Sequence, residues 1–198
     1  MKSVFKSTIF CLYLAISMSA CAQDETSSER IKEYETCCGA DPVEVAVGEK
    51  EKLYVPNSFT PNKDGINDFF RPFYTGDIRN MTYMLVYSLE GDTLLFVLRG
   101  RDFNIYEKGK FGWDGTRTGE EPLYAGDWKL HKGGFKYEIS IYTDDVGYVT
   151  VKGTACAIHC GADAAVFKDN KACFFPSQAN EDGTFNPKIA VDESGCFK

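Results

Sequence analysis

The placement of its cysteines constrains this chain more than any other feature. Cys37 and Cys38 are neighbours near the start of the part that folds, while Cys156, Cys160, Cys173 and Cys196 crowd its end. In an exported chain an even set of six predicts three disulfides. Neighbouring cysteines in extended backbone point apart, so Cys37 and Cys38 are not expected to bond each other. At least one bond is expected to join Cys37 or Cys38 to the C-terminal four, which pins the two ends of the fold together. The pairing beyond that is open.

The sequence holds eight cysteines, and the other two belong to the leader or its cleavage site. The opening MKSVFKSTIFCLYLAISMSACA sets Lys2 and Lys6 around the start of an apolar run from Val4 to Ile16. That run is too short and too poorly flanked to remain as a spanning helix, and the layout is that of a secretory signal peptide, with which Cys11 leaves. Two cleavage sites overlap. Met18-Ser19-Ala20-Cys21 resembles a lipobox, in which Cys21 takes the lipid, whereas Ala20-Cys21-Ala22 resembles an A-x-A site cut before Gln23. The first makes an outer-membrane lipoprotein on the cell surface; the second makes a periplasmic or secreted protein. The acidic, Ser/Thr-rich run from Gln23 to Glu29 buries too little apolar area to fold, reads as a tether, and resembles the surface-export tethers of bacterial lipoproteins. The expected organisation is a signal peptide over 1–20, an acidic tether over 21–36, a β-sandwich over 37–156 and a Cys-rich extension over 157–198.

The formal charge is −7, and loss of Lys2 and Lys6 with the leader makes it more negative. A nucleic-acid partner is therefore not expected, since neutralising phosphates needs a basic face. No apolar run after the leader reaches the ~20 residues needed to cross a bilayer as a helix.

The rest of the chain has the texture of strands and turns. In 81–87, Met81, Tyr83, Leu85 and Tyr87 alternate with Thr82, Met84 and Val86, and Glu90-Gly91-Asp92 marks a turn before a second strand over 93–98. Over 135–143, Phe135, Tyr137, Ile139 and Ile141 share one side; Asp144 to Gly147 turns, and 148–152 runs back. Period-two alternation, β-branched and aromatic residues and Gly-marked turns predict an all-β, antiparallel sandwich, with a small barrel as the alternative. No segment holds a helical apolar stripe for three turns, so helix content is expected to be low.

The stretch VPNSFTPNKDGIND over 55–68 resembles the opening motif of the gliding motility-associated C-terminal domain, the type B sorting domain of type IX secretion substrates. Further matches follow in order: Phe70-Arg71-Pro72, then Tyr87 and Gly91 around a central turn, Trp113-Asp114-Gly115-Thr116, Tyr124 to Trp128, and Lys152-Gly153-Thr154. The resemblance spans about residues 53–158. It implies an immunoglobulin-like sandwich and a place in the gliding or type IX secretion apparatus. Family members mostly carry the domain at the extreme C-terminus as an export signal, with Arg-Trp before the central Gly. Here Leu89-Glu90 stand there, and 157–198 extend beyond the domain, which points to a freestanding surface module.

One loop carries candidate chemistry. Thr60, Asn62, Asp64 and Asp68 put oxygens at the alternating places of an EF-hand-like count, with Gly65 at the sharp turn and Ile66 offering its carbonyl. This is the pattern of a weak calcium site. Thr60 stands where an acid is usual, however, and Arg71 where a bidentate acid is needed, so an Asx-rich turn bonding its own backbone is the competing reading. A fainter echo runs from Asn180 to Asn186. Cys156, His159 and Cys160 place a His among thiols, but in an oxidising compartment disulfides are expected over zinc. With only two histidines, His131 and His159, and no nucleophile-elbow, phosphate-loop or zincin motif, no catalytic residue is assigned and an enzyme is not expected. The functional expectation is a non-catalytic surface lipoprotein module that binds an envelope or secretion-machinery protein. The alternatives are a carbohydrate-binding or adhesive module and, third, a secreted hydrolase with a carboxylate pair.

Overall fold

The computed structural model describes residues 34, 37–75, 78, 80–102, 112–117, 130–161, 164, 167, 172–191, 193 and 195–197. Residues 1–20 read as a leader, the lipidation candidate Cys21 and nearly all of the stretch read as a tether lie outside the described residues, as do Tyr124 to Trp128.

Eight strands are named in chain order: β1 (Val43–Ala46), β2 (Lys52–Val55), β3 (Ser58–Phe59), β4 (Phe73–Thr75), β5 (Asn80–Ser88), β6 (Leu94–Asp102), β7 (Gly133–Thr143) and β8 (Gly147–Ala157). A short 3-10 turn covers Pro176–Gln178. The strands form two sheets. One has the order β1-β2-β4; the other has the order β3-β8-β7-β5-β6. All pairings are antiparallel except β3 with β8. The class is all-β, as the alternation predicts.

Alternation also explains which faces are buried. Phe135, Tyr137, Ile139 and Ile141 of β7 all point into one apolar cluster, which Leu53 and Val55 of the smaller sheet enter from the other side. Burying these faces together removes from water the apolar surface that drives the two sheets onto each other. On β5 strict alternation fails. Met81, Met84 and Val86 are the buried residues, while Tyr83, Leu85 and Tyr87 are partly exposed. The pairing of β5 with β7 shifts register between Met81 and Tyr83, so one extra residue turns Met81 to the same side as Met84. Sequence alternation had grouped Met81 with the tyrosines. Local pattern carries no sign of a bulge, because a bulge is decided by the partner strand.

Gly153 illustrates a second device. It pairs with Tyr137, and a Cβ there would overlap the Tyr137 hydroxyl. The missing side chain lets the buried ring lie across the strand.

The two halves of the motif run meet in the core. Phe59 lies 5.6 Å from Trp113 between ring centroids, and Phe70 and Trp113 exchange backbone hydrogen bonds of 2.8 and 2.9 Å. Phe135 closes the group edge-on to Trp113 at 4.9 Å. Trp113 is fully buried, with its indole N–H donated to the Thr116 carbonyl at 2.6 Å. Asp114 accepts from both the N–H and the hydroxyl of Thr116, which closes the Asp-Gly-Thr turn.

A second, smaller cluster gathers around the cystines. Cys37 bonds Cys156, Cys38 bonds Cys173, and Cys160 bonds Cys196. Cys38 adopts φ 59°, a left-handed kink that separates the directions of the two neighbours. Tyr34, Ile158, Phe167, Phe175 and Phe197 pack around these bonds. Tyr34 falls in the stretch read as tether, yet it is buried edge-on to Phe167 and its hydroxyl accepts the His159 N–H. The tail also lies on the smaller sheet. Phe185 stacks on Tyr54 at 4.7 Å, and a Cβ at Gly183 would overlap the backbone of Tyr74 in β4.

Candidate functional site

The loop after β3 is built from side chains that serve its own backbone. Asp68 accepts the N–H groups of Asn62 (3.1 Å), Lys63 and Gly65 (2.7 Å). Asp64 accepts the Ile66 N–H at 2.8 Å, and Asn62 accepts the Asp64 N–H at 3.0 Å. The Asn62 amide also donates to Asp64 at 2.8 Å. Lys63, Gly65 and Asn67 all have left-handed φ, at 64°, 91° and 51°. Such a tight loop exposes N–H groups with no strand partner, and short carboxylate and amide side chains satisfy them.

The five candidate ligands are therefore adjacent, but the oxygens of Asn62, Asp64 and Asp68 face the loop's own N–H groups. Among the described residues no group of three or more His, Cys, Asp or Glu side chains is placed to hold a metal ion. The geometry favours the Asx-turn reading. Asp68→Ala, which strips three N–H groups of their acceptor, is expected to cost about 1–3 kcal/mol. Thermal unfolding in millimolar calcium and in chelator should give the same midpoint for the wild type and the same loss for the variant. A calcium-dependent rise that disappears with Asp64→Ala would instead establish a site. The echo at Asn180–Asn186 is likewise a turn: Asp182 accepts from both the N–H and hydroxyl of Thr184, which hold its carboxyl below the usual range.

Beneath the loop lies a residue the sequence reading missed. Glu193, from the tail, is 2% exposed. Its Oε1 accepts from the Thr60 hydroxyl and from the Asn67 amide at 2.6 Å, while its Oε2 is buried with no hydrogen-bond partner among the described residues. Asn67 in turn accepts the Ser177 N–H at 2.7 Å. Burial raises the Glu193 carboxyl above its ordinary range; the Thr60 and Asn67 bonds oppose this, and the charges of Asp64 and Asp68 add to it. A raised folded-state value means that the acid form favours folding. The contribution is complete below the ordinary carboxyl range and is lost as pH rises through the folded value. Glu193→Gln keeps the shape and stays neutral. It is therefore expected to raise the unfolding midpoint at pH 8, with the gain shrinking to nothing near pH 4. A loss at pH 8 would show that the charge is needed.

Above the loop neck, Asn57 joins three segments. Its amide donates to the carbonyls of Ala40 (2.7 Å) and Ala172 (2.8 Å), and its carbonyl accepts the Phe174 N–H (2.7 Å) and the Ser58 hydroxyl (2.8 Å).

The two histidines and the cysteine cluster are structural in their contacts. His131 lies 5.6 Å from Trp113, His159 reaches the His131 carbonyl at 3.0 Å, and Cys156 and Cys160 are both in disulfides.

The outer face of the larger sheet has a different character. Tyr83 donates to Glu138 at 2.6 Å, and Lys152 pairs with the other Glu138 oxygen at 2.8 Å. These two contacts, Lys152 first, hold the Glu138 carboxyl below its usual range. Tyr87, Lys136 and Thr150 extend this partly exposed surface. At its far end Tyr148 is 72% exposed and meets Tyr142 edge-on at 5.1 Å. Met81, Thr82, Gly100, Tyr142 and Tyr148 line an open groove of about 370 Å³ there. No family model, no curated protein and no solved structure matches this chain.

Proposed function

We propose that this chain is a non-catalytic, immunoglobulin-like module of the gliding motility-associated type. In this reading it is carried to the bacterial cell surface as a lipoprotein through Cys21 and binds a protein partner in envelope assembly, gliding or type IX secretion. The motif run over 55–68 and its meeting with Trp113 support the family reading. The observation that carries the binding role is the outer face of β5, β7 and β8. Tyr83, Tyr87, Tyr142 and Tyr148 stand there among Lys136, Glu138 and Lys152 on a rigid sheet. Tyrosine supplies large amphipathic contact area at low entropic cost, which is why binding surfaces are rich in it.

Crosslinking of the full-length protein in intact cells is expected to trap a discrete protein adduct. Tyr83→Ala with Tyr87→Ala should abolish it while the chain still folds and unfolds cooperatively, and Cys21→Ala should move the chain out of the membrane fraction. An adduct that survives the tyrosine substitutions places the binding surface elsewhere.

A second reading, carbohydrate binding, draws on the groove beside Tyr148. An exposed ring held by its neighbour is a stacking platform for the C–H face of a sugar. Retardation of the protein in gels cast with neutral polysaccharide, lost in Tyr148→Ala, would favour it.

A further inference from the structure

The three disulfides differ in their access to solvent. Cys37 and Cys38 are 8% and 6% exposed, Cys156 and Cys173 are 0% and 4%, and Cys196 is 0%. Cys160 alone among the six is solvent-exposed. Cys160 is therefore the cysteine most open to an external thiolate, whereas both residues of each of the other two bonds lie inside the cystine cluster. Exposed disulfides are the labile ones.

What this bond holds closed is also distinctive. Cys196 follows Glu193 by three residues, and the N–H groups of Cys196 and Phe197 donate to the Glu193 carbonyl at 2.9 and 3.0 Å. The bond to Cys160 therefore keeps the Glu193 carboxyl in place under the loop, with Oε2 buried and unpartnered among the described residues. Cys160 itself touches the same loop, because the Asn62 amide donates to its sulfur at 3.1 Å. A buried carboxyl lacking a partner for one oxygen gains solvation when it leaves.

We propose that Cys160–Cys196 is a redox latch that clamps the tail residue Glu193 beneath the 60–68 loop, and that its reduction by an external dithiol frees tail and loop together. The step balances as thiol–disulfide exchange. A thiolate of the dithiol attacks Cys160 Sγ, the bond to Cys196 breaks, and Cys196 leaves with the electron pair and takes a proton. The second thiol of the dithiol then attacks the mixed disulfide. Cys160 leaves as a thiolate beside the Asn62 N–H donor and is protonated, and the reagent departs as its disulfide. Cys38–Cys173 and the Asn57 bonds still hold residues 172–174, so the opening is confined to the distal tail and the loop. This inference is independent of the binding role above.

The test is limited reduction of the oxidised full-length protein with dithiothreitol, with alkylation and peptide mapping over time and hydrogen exchange on each species. Cys160 and Cys196 should be alkylated about tenfold or more faster than the other four. Exchange should then rise severalfold in the 60–68 loop and at Cys196 and Phe197, while β5, β7 and β8 stay protected. Cys160→Ser with Cys196→Ser should reproduce the open form without reductant. The proposal is overturned if the six cysteines react together, if another pair opens first, or if the loop is unaffected once Cys160–Cys196 is open.

Discussion

Replacing Asn57 by alanine is expected to destabilise the protein by about 3–5 kcal/mol, among the larger effects of any single substitution outside the apolar core. The residue is 2% exposed, and its side-chain amide makes four hydrogen bonds, two donated and two accepted. Alanine removes the Asn57 partner of the part-buried Ala40 and Ala172 carbonyls, of the part-buried Phe174 N–H and of the buried Ser58 hydroxyl. Each unpaired buried group costs about 1–3 kcal/mol, partly recovered where water enters. The loss is also strategic. Ala40 belongs to the lead-in, Ser58 to β3 and Phe174 to the tail, so one side chain fixes three segments far apart in sequence. Asn57→Asp tests the chemistry. It has the same shape but cannot donate, so two carbonyls would face a carboxylate, and the cost should grow as pH rises. Urea unfolding measures both; a loss below about 1 kcal/mol for alanine would show that water replaces the amide.

The second large effect concerns Cys37–Cys156 and Cys38–Cys173, whose sequence separations are 119 and 135. Because Cys37 and Cys38 are adjacent, either bond alone already closes the long loop. With one in place, the other closes only a short circuit through the segment between Cys156 and Cys173. The chain-entropy account gives about 3 kcal/mol for a short loop and about 5 kcal/mol for one beyond a hundred residues. Replacing one pair by serine should then cost about 3 kcal/mol, and replacing both about 8 kcal/mol, more than twice the single loss. Strictly additive losses, measured by urea unfolding of the three variants, would mean that the bonds act through native packing rather than through the unfolded chain.

The two effects bear on the same architectural fact. The tail from Ala172 onward is held to β3, to the loop after it and to β4. Its hold combines Asn57, Cys38–Cys173, Phe185 on Tyr54 and the close approach of Gly183 to Tyr74. A tail read from sequence as a disulfide-linked extension is in these contacts part of the sandwich surface, and it supplies the acid under the candidate loop.

By itself the sequence determined the all-β class, the inward faces of β7 and the turn at Gly91, because period-two burial and turn chemistry are local: they depend on which residues neighbour each other along the chain. The self-capped loop was legible for the same reason, since Asn62, Asp64 and Asp68 bond N–H groups only a few residues away. Only the tertiary structure decided the rest. The inward turn of Met81 follows from a bulge set by the register against β7. Asn57 was visible as part of a motif, but its four partners come from residues 40, 58, 172 and 174. Glu193 sits in a stretch with no periodicity, and nothing near it in sequence marks it as buried. Its burial is imposed by Cys160–Cys196 and by the closing of the tail over Thr60 and Asn67. Contacts between distant segments form when the chain collapses around a shared apolar core, and a hydrogen bond across more than a hundred residues leaves no trace in the spacing of either partner.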